Sequence, residues 1–321
     1  MTDSFDAARA SLVLFDRSDR GRLEILGPDR AKFLHNLSTN DIKHLVKGTG
    51  CEAFITNLQG KTLGYVNVLA DDPQLLVRTD PGALAGVMPH LQKYGLFDDV
   101  TLEDVGPSTF EFHLAGPKLS ESLGDLIGTP PLREYLHYRR VIDDRPVWLV
   151  IEFPTGLEGL TIIGRHADRH HVHAWFQSRG CIDGDSTAFE ALRVEAGTPV
   201  FGRDVTPENL PQEISRDRKT ISFTKGCYLG QETVARIDAL GHVNKLLRRL
   251  TFDEGPVPLL ATTLTFEGKA VGHVTSSVMS PGLGKPIGLG IVKVAQAKAD
   301  TTLSLLVDGL ERHAMVSDLP A

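Results

Sequence analysis

Lys225-Gly226-Cys227-Tyr228-Leu229-Gly230-Gln231-Glu232, continuing to Val234-Ala235-Arg236, is the most specific stretch of this 321-residue chain. Gly226 permits a tight backbone turn ahead of the cysteine. Lys225 adds positive charge beside the sulfur, and a helix beginning at Cys227 would add its peptide dipoles; both favour a thiolate. On that reading Cys227 is a reactive or ligand-contacting thiol, with Lys225 as its partner. On the other it is a small residue packed into a tight turn, as free cysteine commonly is. The stretch supplies no general-base histidine.

Upstream, Thr187 to Ala196 has helical spacing and Gly197 is its C-terminal stop. Arg203 to Lys219 reads as a polar loop, in which Arg216, Arg218 and Lys219 either meet the carboxylates of a ligand or form a solvated face, the expected reading, with Asp217 partly cancelling their charge. Downstream of about Lys245 the pattern is strand-like, with hairpin turns at Glu267-Gly268-Lys269 and Asp308-Gly309. Nearer the N-terminus, Arg22 to Leu26 is a strand, followed by a helix with Phe33, Leu34 and Leu37 on one face. Strands at Ala53–Thr56, Leu63–Leu69 and Leu75–Arg78 and a helix carrying Leu84, Val87, Met88 and Leu91 describe an α+β unit at about 50–110, inserted in a larger one. The division is 1–245 and 246–321, the latter all-β.

Apolar residues make up 41% and charged residues 23%, as in an ordinary globular chain. A net charge of −7 argues against a nucleic-acid or anionic-membrane partner. The early acids of Met1-Thr2-Asp3-Ser4-Phe5-Asp6 fit neither a secretory signal nor a transit peptide, and no apolar run approaches a membrane span. Cys51, Cys181 and Cys227 are far apart, which points away from disulfides and a cysteine zinc site and towards a reducing cytoplasm. His166, His170, His171 and His173 lack the glutamate of a His-Glu-x-x-His motif, Ala167 standing in its place, and read as a solvated helix face. Gly282-Leu283-Gly284-Lys285 lacks the first glycine and the Ser or Thr of a phosphate loop.

The Lys225–Arg236 run resembles the signature of the YgfZ family, bacterial folate-binding proteins with mitochondrial counterparts in iron–sulfur protein maturation. Leu192-Arg193-Val194-Glu195-Ala196-Gly197 with Gly202-Arg203-Asp204 resembles the Arg-x-Glu-Ala-Gly stretch of the glycine-cleavage T-protein. Gly272-His273-Val274-Thr275-Ser276 and Gly284-Lys285-Pro286-Ile287-Gly288-Leu289-Gly290 are similar to its C-terminal barrel, and Thr155-Gly156-Leu157-Glu158-Gly159 is a weaker match. Together they cover most of the chain. The resemblance implies an α+β clover-leaf of three units, with ferredoxin-like units and a C-terminal β-barrel. It implies tetrahydrofolate, or a one-carbon-substituted folate, in a central channel, and iron–sulfur client or assembly proteins as partners. Cys227 and Lys225 would lie near the channel mouth.

Site residues follow from the same resemblance. Glu213 aligns with the glutamate that accepts the two parallel donors of a pterin, an N–H beside an amino group. Tyr228 and Arg236 of the signature are further cofactor contacts. No metal site is expected. At Gly60-Lys61-Thr62-Leu63-Gly64-Tyr65 the chain departs from T-proteins, which carry paired aspartates where Gly64 and Tyr65 stand. Neither side chain is a carboxylate acid or base near neutral pH, and Tyr65 either stacks on the pterin or packs in the sheet. The expectation is folate binding in support of iron–sulfur protein assembly or repair, with catalysis left open. The rivals are a folate-dependent aminomethyltransferase and a demethylation module acting in trans.

Overall fold

Strict alternation along four strands gives the first sheet two different faces. Leu23, Ile25, Ala53, Ile55, Val66, Val68 and Val77 are buried against the helices Arg30–Leu37 and Leu84–Tyr94. Their neighbours Arg22, Glu52, Tyr65, Asn67 and Arg78 are buried too, but on the opposite face. The computed structural model describes residues 2–128, 133–241 and 243–320. In it the sheet runs Thr49–Thr56, Thr62–Ala70, Leu75–Thr79, Gly21–Leu26 and Thr101–Asp104, all antiparallel. The unit expected from about residue 50 therefore takes in Gly21–Leu26 as well. That strand sits between Leu75–Thr79 and Thr101–Asp104, a long-range pairing that local periodicity does not reveal.

A second sheet is ordered Ile182–Gly184, Val13–Asp16, Thr109–Ala115, Gly159–Arg165, Arg145–Ile151 and His137–Ile142. Leu14, Phe112, Leu114, Leu149 and Ile162 pack on the helices Leu119–Ile127 and Arg169–Ser178. Its other face carries Glu111, His113 and Thr161 and turns towards the polar face of the first sheet. The strands expected at Phe110–Leu114 and around the Asp143-Asp144 turn are both present, and the turn places both aspartates at positive φ, 47° and 62°.

The third unit is a closed six-stranded barrel: Lys245–Phe252, Lys285–Lys293, Lys269–Ser280, Thr263–Phe266, Thr302–Val307 and Leu310–Ser317. Leu250, Leu264, Val274, Val292, Leu303 and Val316 fill it. The chain thus has the mixed α/β architecture with a C-terminal barrel that the resemblance implied. The helix Ser186–Glu195 ties the units together. Asp185 caps it by accepting the Ala188 N–H at 2.8 Å, and Gly197, at φ 69°, ends it. Its Phe189 and Leu192 share one core with Phe15, Phe54, Leu247 and Leu289, drawn from both sheets and the barrel.

The stretch 203–219 is not one open loop. It forms a short 3-10 turn, Pro211–Ile214, and a helical turn, Asp217–Thr220. The helix of the signature begins at Gln231 rather than at Cys227, with Gly230 in the left-handed conformation ahead of it. A Cβ on Gly230 would lie 2.3 Å from the Asn57 carbonyl oxygen, so glycine is required where this segment docks on the Asn57–Lys61 turn. No described helix is long and apolar enough to cross a membrane.

Candidate functional site

Strand register places a polar row across the inner face of the first sheet. Glu52 lies opposite Asn67, Asn67 opposite Arg78, and Arg78 opposite Arg22. Buried side chains of this kind persist only when paired. Arg78 is fully buried and reaches the second sheet, giving two hydrogen bonds each to Glu111 (2.6 and 3.1 Å) and Glu152 (2.8 Å both). Arg20 bonds Glu111 at 3.3 Å and Asn67 Oδ1 at 2.7 Å. Asn67 donates to the Tyr135 hydroxyl, and Tyr135 and Tyr65 both donate to Glu52. Arg216 closes the chain with two bonds to Glu52, at 3.0 and 2.6 Å.

Between the two sheets lies a cavity of about 690 Å³. Glu52, Tyr65 and Asn67 line it from the first sheet, Glu111, His113 and Glu152 from the second. Phe189 and Arg193 come from the tying helix, and Val200, Arg216 and Lys219 from the segment after it. Burial opposes ionisation of Glu52, but Arg216 and the two phenols outweigh it and lower its pKa. Glu152 is likewise disfavoured by burial yet held ionised by Arg78, well below the usual carboxylate range. Burial pushes His113 down to about 4, so it is neutral. Its Nδ1 lies 2.9 Å from the Thr161 hydroxyl, which itself donates to Glu152.

Of the six expected site residues, Cys227, Lys225, Glu213, Tyr65, Tyr228 and Arg236, Tyr65 is the one that lines this cavity. It faces inward while Gly64 faces the helix Leu84–Tyr94, where a Cβ would lie 2.5 Å from Val87 Cγ2. Glu213 is buried outside the lining. Its carboxylate accepts the Leu210 N–H at 3.1 Å and the Asn209 amide at 3.2 Å, with Lys245 Nζ 3.7 Å away. Arg236 is exposed on the helix Gln231–Leu240.

Lys225 and Cys227 are not at the cavity mouth. Lys225 is buried, and its ammonium donates to the carbonyls of His35, Ser38 and Asn40 at 2.6, 2.6 and 2.8 Å. It thereby satisfies carbonyls at the C-terminus of the helix Arg30–Leu37. Burial brings its pKa down to about 8. Tyr228 packs against it, ring centroid 4.7 Å from the ammonium, and burial raises the phenol to about 12. Cys227 is exposed in a separate groove with Phe33, Leu37, Tyr94, Asp98 and Leu229.

Burial, with Glu52 adding to it, pushes the Cys51 thiol up to about 12, and burial with Asp183 pushes Cys181 up to about 11. Cys227 is therefore expected to be alkylated first at neutral pH, and a ligand in the central cavity should leave its rate unchanged. Mass spectrometry of partially labelled protein checks both points. Faster labelling at Cys51 or Cys181 would contradict the geometry.

Glu52, Arg78, Glu111 and Glu152 are not among the residues the sequence marks for the site. The available signal was a charge inside an apolar run, as in Phe110-Glu111-Phe112 and Leu75-Leu76-Val77-Arg78. Arg216 carried no such signal. The solvated face expected at 216–219 is corrected, because Arg216 and Lys219 both line the cavity. Burial and Asp238 raise the Asp217 pKa to about 6, so it is a weaker counter-charge than an ordinary aspartate. His173 pairs with Asp183 at 2.7 Å. Among the described residues no group of three or more His, Cys, Asp or Glu side chains is arranged to hold a metal.

Residues 1–223 match the family described as the GCVT N-terminal domain, and residues 245–321 match the glycine cleavage T-protein C-terminal barrel domain. A chloroplastic protein of Arabidopsis thaliana, provisionally named a transferase, is 30% identical over 324 residues, spanning 99% of this chain and 73% of its own length. An aminomethyltransferase of Chloroherpeton thalassium is 26% identical over 325 residues, spanning 98% of this chain and 88% of its own. The crystal structure of glycine cleavage system aminomethyltransferase T from Bartonella henselae superimposes with a TM-score of 0.89 at 19% identity, covering 99% of this chain and 88% of that one.

Proposed function

Because the chain belongs to the glycine cleavage T-protein family, we propose that its central cavity holds tetrahydrofolate or a one-carbon-substituted folate, and that it supports iron–sulfur protein assembly or repair without aminomethyl transfer. The YgfZ-like run at Lys225–Arg236 supports the iron–sulfur role, in a reducing compartment such as the cytoplasm. Three free thiols agree with that setting.

One observation carries the reading away from transfer. Where T-proteins hold aspartates, the inward side chain is Tyr65, whose phenol donates to Glu52. Burial raises the Tyr65 pKa well above its ordinary value, so the hydroxyl keeps its proton. Glu52 has its oxygens taken by Tyr65, Tyr135 and Arg216 and stays ionised. General acid–base work needs a group that exchanges protons near working pH, and this pair is fixed at both ends. The relatives named aminomethyltransferases make transfer the rival reading.

A cell-based test separates the two. In a host deprived of its own protein of this type, the wild-type chain should restore iron–sulfur enzyme activities. The Cys227→Ser variant should fold and bind folate but fail to restore them. Full rescue by the serine variant would remove the thiol from the function, and no rescue by wild type would remove the iron–sulfur role.

A further inference from the structure

Five cationic side chains line the central cavity: Arg17, Arg20, Arg193, Arg216 and Lys219. Four have partners. Arg20 bonds Glu111 and Asn67, Arg193 bonds Asp204 and Glu190, Arg216 bonds Glu52, and Lys219 bonds Glu134. Among the described residues the Arg17 guanidinium donates no hydrogen bond. Its nearest carboxylate is the largely exposed Asp19, at 3.9 Å. Asp16, next in sequence, is taken by Arg169, Asp80 accepts the Phe201 N–H, and Glu111 is committed to Arg78 and Arg20.

Arg17 is nonetheless fixed. Its side chain is only 17% exposed. The guanidinium lies over the Phe189 ring, 3.9 Å from the centroid, and the Arg17 backbone N–H donates to the Glu111 carbonyl at 2.8 Å. A guanidinium seated on an aromatic face keeps its N–H edges free for a planar anion. Burial and the neighbouring Arg20 work against its charge, and Asp19, Asp80 and Glu111 counter them only in part; a bound anion would offset the remainder. Arg17, Phe189, Arg193 and Val200 also line a second cavity, of about 460 Å³, so Arg17 stands where the two meet.

We propose that Arg17 is the anion-recognition residue of the central cavity, binding a carboxylate of the ligand's tail at the junction of the two cavities. The inference rests on the folate reading: in a folate the tail carries glutamyl carboxylates and the pterin is uncharged. Arg17 would then discriminate folates from pterins without a tail. The contact is charge-assisted and bidentate in kind, which sets its strength.

The test is calorimetric titration of the full chain with three probes: tetrahydrofolate, 6-methyltetrahydropterin and p-aminobenzoylglutamate. Arg17→Gln should weaken tetrahydrofolate and p-aminobenzoylglutamate roughly ten- to a hundredfold, the range for hydrogen bonds to charged groups, and leave the tail-less pterin unchanged. Arg17→Lys, which keeps the charge but not the planar fork, should fall between. Equal melting temperatures show that the variants fold. If wild type binds tetrahydrofolate and Arg17→Gln binds it equally well, or loses the tail-less pterin to the same degree, the inference fails alone. If wild type binds none of the three, the folate reading fails with it.

Discussion

Replacing Arg78 with methionine is expected to cost about 3–5 kcal/mol of folding stability near neutral pH, the range for removing one partner of a buried ion pair. Arg78 is wholly buried and holds two buried carboxylates, Glu111 and Glu152, from the opposite sheet. Glu111 would retain Arg20 at 3.3 Å and Arg22 at 3.8 Å. Among the described residues, Glu152 would retain the Thr161 hydroxyl alone of its hydrogen-bond donors. The pH dependence gives the variant a signature. In the wild type burial opposes the charge on both glutamates but Arg78 prevails, so their pKa values are lowered. Depressed carboxylates contribute stability that is present above the unfolded value of about 4.3 and lost as pH falls through the folded value. Wild-type stability should therefore change little between about pH 7.5 and about pH 5.5 on account of these groups. Without Arg78, burial is opposed only by Arg20, His113 and the Thr161 hydroxyl, and the folded pKa of Glu152 rises. Protonation then restores stability as pH falls, and the variant should recover part of its loss over the same window. Urea unfolding at both pH values measures this. A loss under about 1 kcal/mol, or no recovery on acidification, would show that the two sheets do not depend on this bridge.

Arg216→Met is expected to cost about 3 kcal/mol, the lower end of the same range, because Glu52 keeps two phenol donors. Glu52 is 2% exposed and Arg216 is its cationic partner. Replacing both members should be far milder than removing one, since it strands no charge. The double variant Glu52→Gln/Arg216→Met should thus regain most of the loss, and a double-mutant cycle of unfolding free energies isolates the coupling. Additive losses would mean that Arg216 stabilises the cavity wall by packing rather than by holding Glu52 ionised.

These two arginines also show where sequence reading stops. Elements with local signals were legible: the Phe33-Leu34-Leu37 helix face, the Asp143-Asp144 turn and the Gly197 stop all stand where their residues placed them. The barrel was legible through its motif and its glycine-punctuated strands. The site was less so, because its chemistry is made by register across two sheets. Glu52 meets Arg216 across 164 positions of sequence, and Arg78 meets Glu152 across 74. Lys225 shows the converse. Adjacent in sequence to a cysteine signature, it turns away and serves three carbonyls of a neighbouring helix and turn. The ammonium is buried on carbonyl acceptors while the thiol is exposed in a groove, because a buried ammonium must be hydrogen-bonded.

We propose above that this family's fold holds a reduced folate here without transferring a one-carbon unit from an aminomethylated carrier. One measurement tests it most directly: tetrahydrofolate titrated calorimetrically into the wild-type chain, with the same preparation assayed for methylene-tetrahydrofolate formation from an aminomethylated carrier protein. The account predicts saturable binding at one site and no turnover. Turnover at a rate comparable with a T-protein, or no binding of tetrahydrofolate at all, would contradict it.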